Sequence, residues 1–141
     1  MRGKTIDQLA IGDQESLSKT ISESDIYLFA GVTGDLNPAH IDREYAKKTF
    51  FKQRIAHGML MGGLISAVIA MRLPGPGSIY REQQLKFLAP VHIGDTITSQ
   101  VTVKSLDTEK NKIELQTCCF NQDEVMVVDG TAVIHPPKPS K

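Results

Sequence analysis

The stretch that decides the fold is AHGMLMGGLISAVIAMRL, residues 56–73. Only three of its residues are polar: His57, Ser66 and Arg72. A helix that is apolar on nearly every side has to be wrapped by other structure. Its longest uncharged run, residues 58–71, falls short of the roughly 20 residues that a membrane span needs. LPGPGS, residues 73–78, is typical of a helix end. The sequence therefore predicts one buried central helix over residues 56–73.

Strand-like sequence dominates the chain after this helix. Apolar and polar residues alternate over residues 97–103 and again over 113–119, as they do in half-buried strands. Residues 125–134 are rich in β-branched side chains, which favour strands. Turn signals separate these segments, at residues 90–95, 107–112 and 121–124. We predict about four antiparallel strands after the central helix.

The segment before the central helix adds one more strand and two short helices. SESD, residues 22–25, is typical of a helix start and predicts a helix over about residues 24–31. Residues 44–49 predict one or two further helical turns. Together the elements predict an α+β protein with the hot-dog fold, an antiparallel sheet of about five strands wrapped around a long central helix.

The chain is predicted to form a single hot-dog domain over residues 1–141, with a frayed tail, PPKPSK, from about residue 136. A helix buried against one face of a single sheet leaves apolar surface that needs cover. A second copy of the chain is the simplest cover. We expect a homodimer or a dimer of dimers.

Composition argues against several classes of protein. The 16 basic and 16 acidic residues balance, which argues against a nucleic-acid footprint. The N-terminus, MRGKTIDQLAIGD, lacks the apolar core of a signal peptide. The cysteines, Cys118 and Cys119, are adjacent, and neighbours in a strand point to opposite faces, so a structural disulfide between them is not expected. These features predict a cytoplasmic protein with no nucleic-acid or membrane partner.

TGDLNPAHID, residues 33–42, places an acid and a histidine around a turn. Asn37 precedes Pro38, and a residue before proline avoids the helical region, so we expect a bent loop here. Five residues across such a loop can bring Asp35 and His40 to one point. A carboxylate and an imidazole that converge on a water form a general acid–base pair. The alternative is that Asp35 caps a turn and His40 packs at the surface.

AHGML, residues 56–60, opens the central helix. A helix N-terminus presents unpaired amides and partial positive charge, so the Gly58 amide can polarise a carbonyl oxygen. Gly58 also permits close approach of a ligand, or it merely relieves crowding. For His57 we favour a role as a helix cap over a catalytic role. A zinc site from His40, Asp42 and His57 matches no standard spacing, so no metal is expected.

These motifs carry a resemblance to a known family. Gly34-Asp35-x-Asn37-Pro38-x-His40, followed by His57-Gly58-Met59, resembles the MaoC-like (R)-specific enoyl-CoA hydratases, the hydratase 2 group. The segment LPGPGSIYREQQLKFLAPVHIGDTIT is similar to their next segment, and the likeness covers roughly residues 10–135. The resemblance implies a small single-domain hydro-lyase that interconverts trans-2-enoyl-CoA and (R)-3-hydroxyacyl-CoA.

The resemblance also implies a role for each residue of the motif. His40 is the base toward a water that adds to C3, and Asp35 delivers a proton to C2. Asn37 orients the loop, and the Gly58 amide binds the thioester carbonyl. Ser66 matches a serine that supports the aspartate, although a hydroxyl bonded back to its own helix explains it equally well. No cofactor is implied, since CoA is part of the substrate.

Two groups of residues are candidate substrate contacts. Residues of the central helix are expected to line an acyl pocket for short chains: Met61, Gly62, Gly63, Ile65 and Val68. Glycines in a helix interior each cost roughly 1 kcal/mol relative to alanine, which suggests close approach of a partner backbone or space kept for ligand. A basic cluster is a candidate contact for the CoA phosphates, or only a solvated face: Lys47, Lys48, Lys52 and Arg54.

Other functions remain open at this level. A hot-dog acyl-CoA thioesterase is one alternative, and a non-catalytic acyl-CoA-binding module is another. The same site is also compatible with dehydration of a branched or dicarboxylic hydroxyacyl-CoA, or with a subunit of a larger enzyme. An intact Asp35 and His40 pair argues against pure binding, because binding does not require both groups.

Overall fold

A computed structural model describes residues 2–139 of the chain. Its helices are α1 (Glu23–Thr33), α2 (Pro38–Ile41), α3 (Arg43–Lys47) and α4 (Gly58–Met71), and a 3₁₀ turn lies at Ile6–Gln8. Its strands are β1 (Gln14–Thr20), β2 (Ile79–Phe87), β3 (Thr96–Asp107), β4 (Lys112–Phe120) and β5 (Met126–His135).

The five strands form one antiparallel sheet in the order β1-β3-β4-β5-β2. β3, β4 and β5 follow one another as hairpins at its centre, whereas β1 and β2 form its edges. β2 follows α4 directly in the chain yet pairs with β5, in a register that sets Phe87 opposite Val128. This pairing brings the end of β2 beside the start of α4.

The core lies between α4 and the concave face of the sheet. α4 packs across β3, β1 and β4, and it buries Met61, Ile65, Val68 and Ile69 there. Alternate residues of the central strands point toward it, as the predicted alternation requires. Burying such an aliphatic side chain contributes roughly 1.5–3 kcal/mol. The predicted hot-dog fold, with about five strands around a central helix, is confirmed.

α4 is shorter than predicted at both ends. It begins at Gly58 because the Ala56 amide donates to the Val91 carbonyl oxygen at 2.7 Å, which holds the chain extended before the helix. It ends at Met71, where the Arg72 amide donates back to Val68. Within the single chain α4 is also less enclosed than expected, since the side chain of Met59 is 60% exposed.

The tail does not fray at residue 136 as predicted. Pro136 and Pro137 are both buried, and the Pro136 carbonyl oxygen accepts a hydrogen bond from the Asn111 side chain at 2.8 Å. The proline-rich composition suggested disorder, but the tail packs beside the β3–β4 turn. The last two residues of the predicted tail lie outside the described range. Over the described residues, no helix has the length and apolar content needed to cross a membrane.

Candidate active site

The end of α1 fixes the position of Asp35. Gly34 closes this helix in the left-handed conformation, with φ of 80°, and its amide donates to Ala30. A glycine adopts this conformation without the steric cost that other residues carry. The Asp35 amide then donates to the Thr33 hydroxyl at 3.1 Å. Asp35 therefore leaves the helix in a defined direction, with its side chain exposed in the single chain.

The predicted bent loop after Asp35 is in fact a one-turn helix, α2. Pro38 is its first residue and Asn37 is its N-cap, whose side-chain oxygen accepts from the Ala39 amide at 3.0 Å. Asn37 itself stays outside the helical region, with φ of −53° and ψ of 127°, as expected for a residue before proline. Proline suits a first helical position because the amide that it lacks would be unpaired there anyway. The turn of helix brings His40 back toward Asp35.

The imidazole of His40 is held by a hydrogen bond to the main chain. Its Nδ1 lies 2.8 Å from the carbonyl oxygen of Ile55, in the segment just before α4. A carbonyl oxygen only accepts, so Nδ1 carries the hydrogen and Nε2 of the neutral ring carries the free lone pair. This geometry leaves Nε2 as the basic nitrogen of His40.

His57 does not serve as a side-chain cap, contrary to expectation. It occupies the N-cap position of α4, yet its side chain makes no capping bond. Instead its Nε2 lies 2.9 Å from the carbonyl oxygen of Asp35. Its ring stacks on His40 with 3.9 Å between centroids and contacts Phe29 at 4.8 Å. The residue is 2% exposed, so it forms a buried floor beneath the site.

Three titratable side chains therefore meet at one place. Asp35, His40 and His57 each offer a polar atom within 4.8 Å of those of the other two. Asp42, considered earlier for a zinc site, lies apart and caps α3 by accepting from the Tyr45 amide. Each imidazole already commits one nitrogen to a carbonyl oxygen. The cluster thus combines a carboxylate and an oriented base.

The N-terminus of α4 opens beside this cluster. Within the described chain the Gly58 amide donates to no acceptor, as is usual for the first residue of a helix. A Cβ on Gly58 would lie 2.9 Å from ring atoms of Phe87, so the close approach that glycine permits here is to that ring. Relief of crowding, the alternative reading of Gly58, is thus part of its role.

An apolar cavity of about 350 Å³ runs from this helix N-terminus toward the sheet. His57, Gly58 and Met61 form the helix side. The rest of its wall comes from the segment before α4, from the end of β2 with the turn after it, and from β5: Phe51, Ile55, Ala56, Phe87, Leu88, Ala89, Pro90, Val91 and Val128.

The five predicted acyl-pocket residues occupy different environments in the structure. Of the five, Met61 lines the cavity. Ile65 and Val68 are fully buried in the core between helix and sheet, and neither lines this cavity. Gly62 faces Leu85, and Gly63 has open space beside it on the exposed side of α4. The helical pattern was correctly predicted, but it does not tell which buried side a cavity adjoins.

Ser66 does not contact Asp35. It lies eight residues beyond Gly58, so it is roughly 12 Å further along the helix axis at 1.5 Å per residue. Its hydroxyl makes no hydrogen bond to any residue that the structure describes, neither to the aspartate nor back to its own helix. Neither contact that the sequence suggested for Ser66 is therefore made within residues 2–139 of the single chain.

The basic cluster divides into paired and unpaired residues. The Arg54 guanidinium donates to Glu23 at 2.9 Å and to the Tyr27 hydroxyl at 2.8 Å. The Tyr27 hydroxyl and then Arg54 lower the pKa of Glu23. Lys47 pairs with Glu44 at 3.1 Å. Within residues 2–139, Lys48 and Lys52 are exposed and form no ion pair. They are therefore the lysines of the cluster whose charge is free to contact an anionic group.

The residues that sequence analysis missed come from distant segments. Phe87 and Leu88 precede the turn signal at Pro90, and their apolar pair was a visible but unspecific signal. The contact between His57 and Asp35 joins residues 22 positions apart, and no local pattern announces it.

The fold and this cluster together define a class, the hot-dog proteins whose candidate acid–base site lies at the N-terminus of the central helix. Within that class the chain belongs to the MaoC family, because the MaoC like domain matches residues 10–122.

Individual relatives are similar over nearly their whole length. An "(R)-specific enoyl-CoA hydratase" of Rhodospirillum rubrum is 56% identical over 89% of this chain and 87% of its own. A "3-hydroxybutyryl-CoA dehydratase" of Methylorubrum extorquens is 47% identical over 94% of this chain and 83% of its own. The unliganded R-hydratase PhaJ1 of Pseudomonas aeruginosa superposes with a TM-score of 0.93 at 45% identity, covering 98% of this chain and 88% of that one.

Proposed function

We propose that this protein is an (R)-specific enoyl-CoA hydratase. It is a hydro-lyase that adds water to trans-2-enoyl-CoA, gives (R)-3-hydroxyacyl-CoA and catalyses the reverse dehydration. The names of its full-length relatives support the reaction class. The observation that carries the proposal is the pairing of Asp35 with an oriented His40 beside the free N-terminus of α4.

In the proposed reaction His40 is the base and Asp35 is the acid. Nε2 of His40 takes a proton from a bound water as the water oxygen bonds to C3 of the substrate. The electron pair of the double bond moves toward the thioester carbonyl, and Asp35 donates its proton to C2. One proton is thus gained by His40 and one is lost by Asp35. Return of a proton from His40 to Asp35 through solvent restores the site.

The Gly58 amide is the proposed donor to the thioester carbonyl oxygen. It has no acceptor among residues 2–139, and it lies where the partial positive charge of α4 is greatest. Enolate-like charge that develops on the oxygen is stabilised there. Loss of one such donor typically lowers kcat about 10²–10³-fold. The addition requires no redox cofactor, and CoA belongs to the substrate.

The proposed substrates are CoA thioesters with short acyl chains. The cavity beside Gly58 is apolar and holds about 350 Å³. Buried Met61 and Val128 form its inner wall, which limits the length of an acyl chain. Lys48 and Lys52 are the proposed contacts for the CoA phosphates, because Lys47 and Arg54 already have acidic partners.

A homodimer of single-domain chains, or a dimer of such dimers, is the proposed assembly. The edge strand β2 carries exposed apolar residues, with Ile79 58% and Phe87 52% exposed, and Met59 on α4 is 60% exposed. A second chain against this edge covers these residues and shields Asp35 from bulk water. The cytoplasm is the proposed compartment, in keeping with the free cysteines Cys118 and Cys119.

Two readouts on one panel of enoyl-CoA thioesters test the proposal. Hydration removes the absorbance of the conjugated enoyl group, whereas hydrolysis of the thioester releases free CoA thiol. The proposed hydratase gives the first signal without the second. Thiol release with no hydration would favour the thioesterase, and measurable binding with neither signal would favour a binding module.

A further inference from the structure

We infer that His57 is a positioning residue of this site, one that holds Asp35 and His40 in register and exchanges no proton with the substrate itself. The inference rests on the proposed function, because it assigns His57 a part in the same reaction. His57 precedes α4 directly and contacts both the α1–α2 connection and the ring of His40.

The first contact holds the backbone of Asp35. Nε2 of His57 lies 2.9 Å from the Asp35 carbonyl oxygen. Since that oxygen only accepts, Nε2 carries the hydrogen and the neutral ring has its lone pair on Nδ1. This bond joins the start of α4 to the residue proposed as the acid. It therefore fixes the distance between Asp35 and the Gly58 amide, the next residue after His57.

The second contact supports the ring of His40. The two imidazoles stack at 3.9 Å with 26° between their planes, and the tilted ring of Phe29 also contacts His57, at 4.8 Å. His40 is thus clamped by Ile55 at its edge and by His57 on its face. In the proposed reaction His40 becomes a cation, and the face of a neutral aromatic ring attracts a cation.

This placement of the His57 ring leaves one of its nitrogens without a hydrogen bond within the described residues. Its Nδ1 is buried and has no hydrogen-bond partner in the part of the chain that the structure describes. Buried polar atoms are rarely left unpaired, and each exception calls for an explanation. The ring nonetheless directs Nε2 at the carbonyl oxygen of Asp35 and makes no capping bond to α4.

Two substitutions separate the contacts. His57→Gln keeps an N–H donor near the position of Nε2 and removes the aromatic ring. His57→Phe keeps an aromatic ring in contact with His40 and Phe29 and removes the donor. His135→Phe is the matched control, because Nδ1 of His135 also bonds a distant carbonyl oxygen, that of Asn111 at 2.7 Å, away from the site.

We expect His57→Phe to lower kcat for enoyl-CoA hydration roughly 10²-fold, the scale of an ångström-sized misplacement of a catalytic group. KM should change little. The kcat of His57→Gln should be at least about tenfold higher than that of His57→Phe. His135→Phe should keep the wild-type kcat. Thermal unfolding of each variant corrects for any loss of folded protein. Full kcat in folded His57→Phe, equal loss in both His57 variants, or a change confined to KM would overturn the inference.

A measurement on the wild-type protein separates this inference from the proposed function. The ¹⁵N chemical shifts of the histidine rings at alkaline pH report which nitrogen carries the hydrogen. We expect the Nε2–H form for His57 and the Nδ1–H form for His40. The Nδ1–H form of His57 would overturn the inference even in an active enzyme. A wild-type protein that has these tautomers but hydrates no enoyl-CoA would overturn the proposed function alone.

Discussion

Nδ1 of His40 lies 2.8 Å from the carbonyl oxygen of Ile55, although fifteen residues separate them in the chain. The bond ties α2 to the strand-like segment that leads into α4, and the Ile55 amide donates in return to Ala39 at 3.3 Å. It leaves Nε2 of His40 as the nitrogen free for catalysis. The orientation of the proposed base is thus set by main-chain atoms.

The proposed acid and base are each required for hydration. Asp35→Asn and His40→Gln should fold normally, because both side chains are at least partly exposed and both changes conserve shape. Each should lower kcat about 10²–10⁴-fold, the usual contribution of a positioned proton-transfer group. Steady-state hydration rates measure the effect.

Asp42→Asn is the matched control for these variants. Asp42 is close in sequence but caps α3, and asparagine caps a helix as well as aspartate does. It should keep near-wild-type activity. Near-full activity in either Asp35→Asn or His40→Gln would contradict the proposed roles.

The size of the cavity sets the acyl chain that fits. Met61 lines the cavity and is 1% exposed, so Met61→Ala should enlarge it and raise kcat/KM for longer enoyl-CoA relative to short ones. The loss of buried volume should cost roughly 2–5 kcal/mol in the free energy of unfolding. A chain-length series together with denaturant unfolding measures both effects.

Ile65→Ala provides the comparison. Ile65 is equally buried on the same helix but does not adjoin the cavity, so the substitution should cost a similar amount of stability and leave the chain-length profile unchanged. A profile that shifts in Ile65→Ala as much as in Met61→Ala would restore the sequence-based prediction, which named both residues, and would contradict the cavity described here.

The two cysteines should be unreactive in the folded protein. Burial raises the pKa of Cys119 to about 12, and burial also raises the pKa of Cys118. The thiolate is the reactive form, so a thiol reagent at pH 8 should titrate neither residue until the chain is denatured, and then both. Rapid reaction of the native protein would contradict the described burial. The prediction also means that CoA release can be assayed without a background from the enzyme.

Acid should weaken the start of α1. The Ser22 amide, which donates to the Asp25 carboxylate, and then Lys19 hold the pKa of Asp25 below its ordinary value of 3.8. A carboxyl whose pKa is lower in the folded chain stabilises it above the unfolded pKa, and that contribution is lost as the pH falls below about 4. An acid in the first turn contributes roughly 0.3–1 kcal/mol. Asp25→Asn should remove this part of the pH dependence of unfolding, and an unchanged acid limb would contradict it.

The sequence predicted the parts of the fold that depend on local periodicity. The apolar run predicted the buried helix α4, and the alternation of apolar and polar residues predicted the strands β3 and β4. The structure confirms these elements. The prediction of a frayed tail was wrong because composition alone does not report packing against a distant turn. The prediction of a loop at Pro38 was wrong because proline has two effects. It restricts the residue before it, which favours a loop, but it also suits the first position of a helix, and the second effect decides the structure here.

For the candidate site, too, sequence analysis found the residues that lie together in the chain and missed the contacts between distant segments. The motif from Gly34 to His40 is contiguous, so its two titratable groups were found together. The roles of His57 and Phe87 depend on tertiary contacts to Asp35 and Gly58, which no spacing reveals. The predicted contact between Ser66 and Asp35 is also tertiary, and no hydrogen bond between them is made within the described residues.

Hydration of crotonyl-CoA by the purified protein, followed by chiral analysis of the product, tests the central claim most directly. The proposed function predicts rapid loss of the enoyl absorbance and formation of (R)-3-hydroxybutyryl-CoA without release of free thiol. Formation of the (S) product, or no hydration across short, long and branched enoyl-CoA substrates, would contradict it.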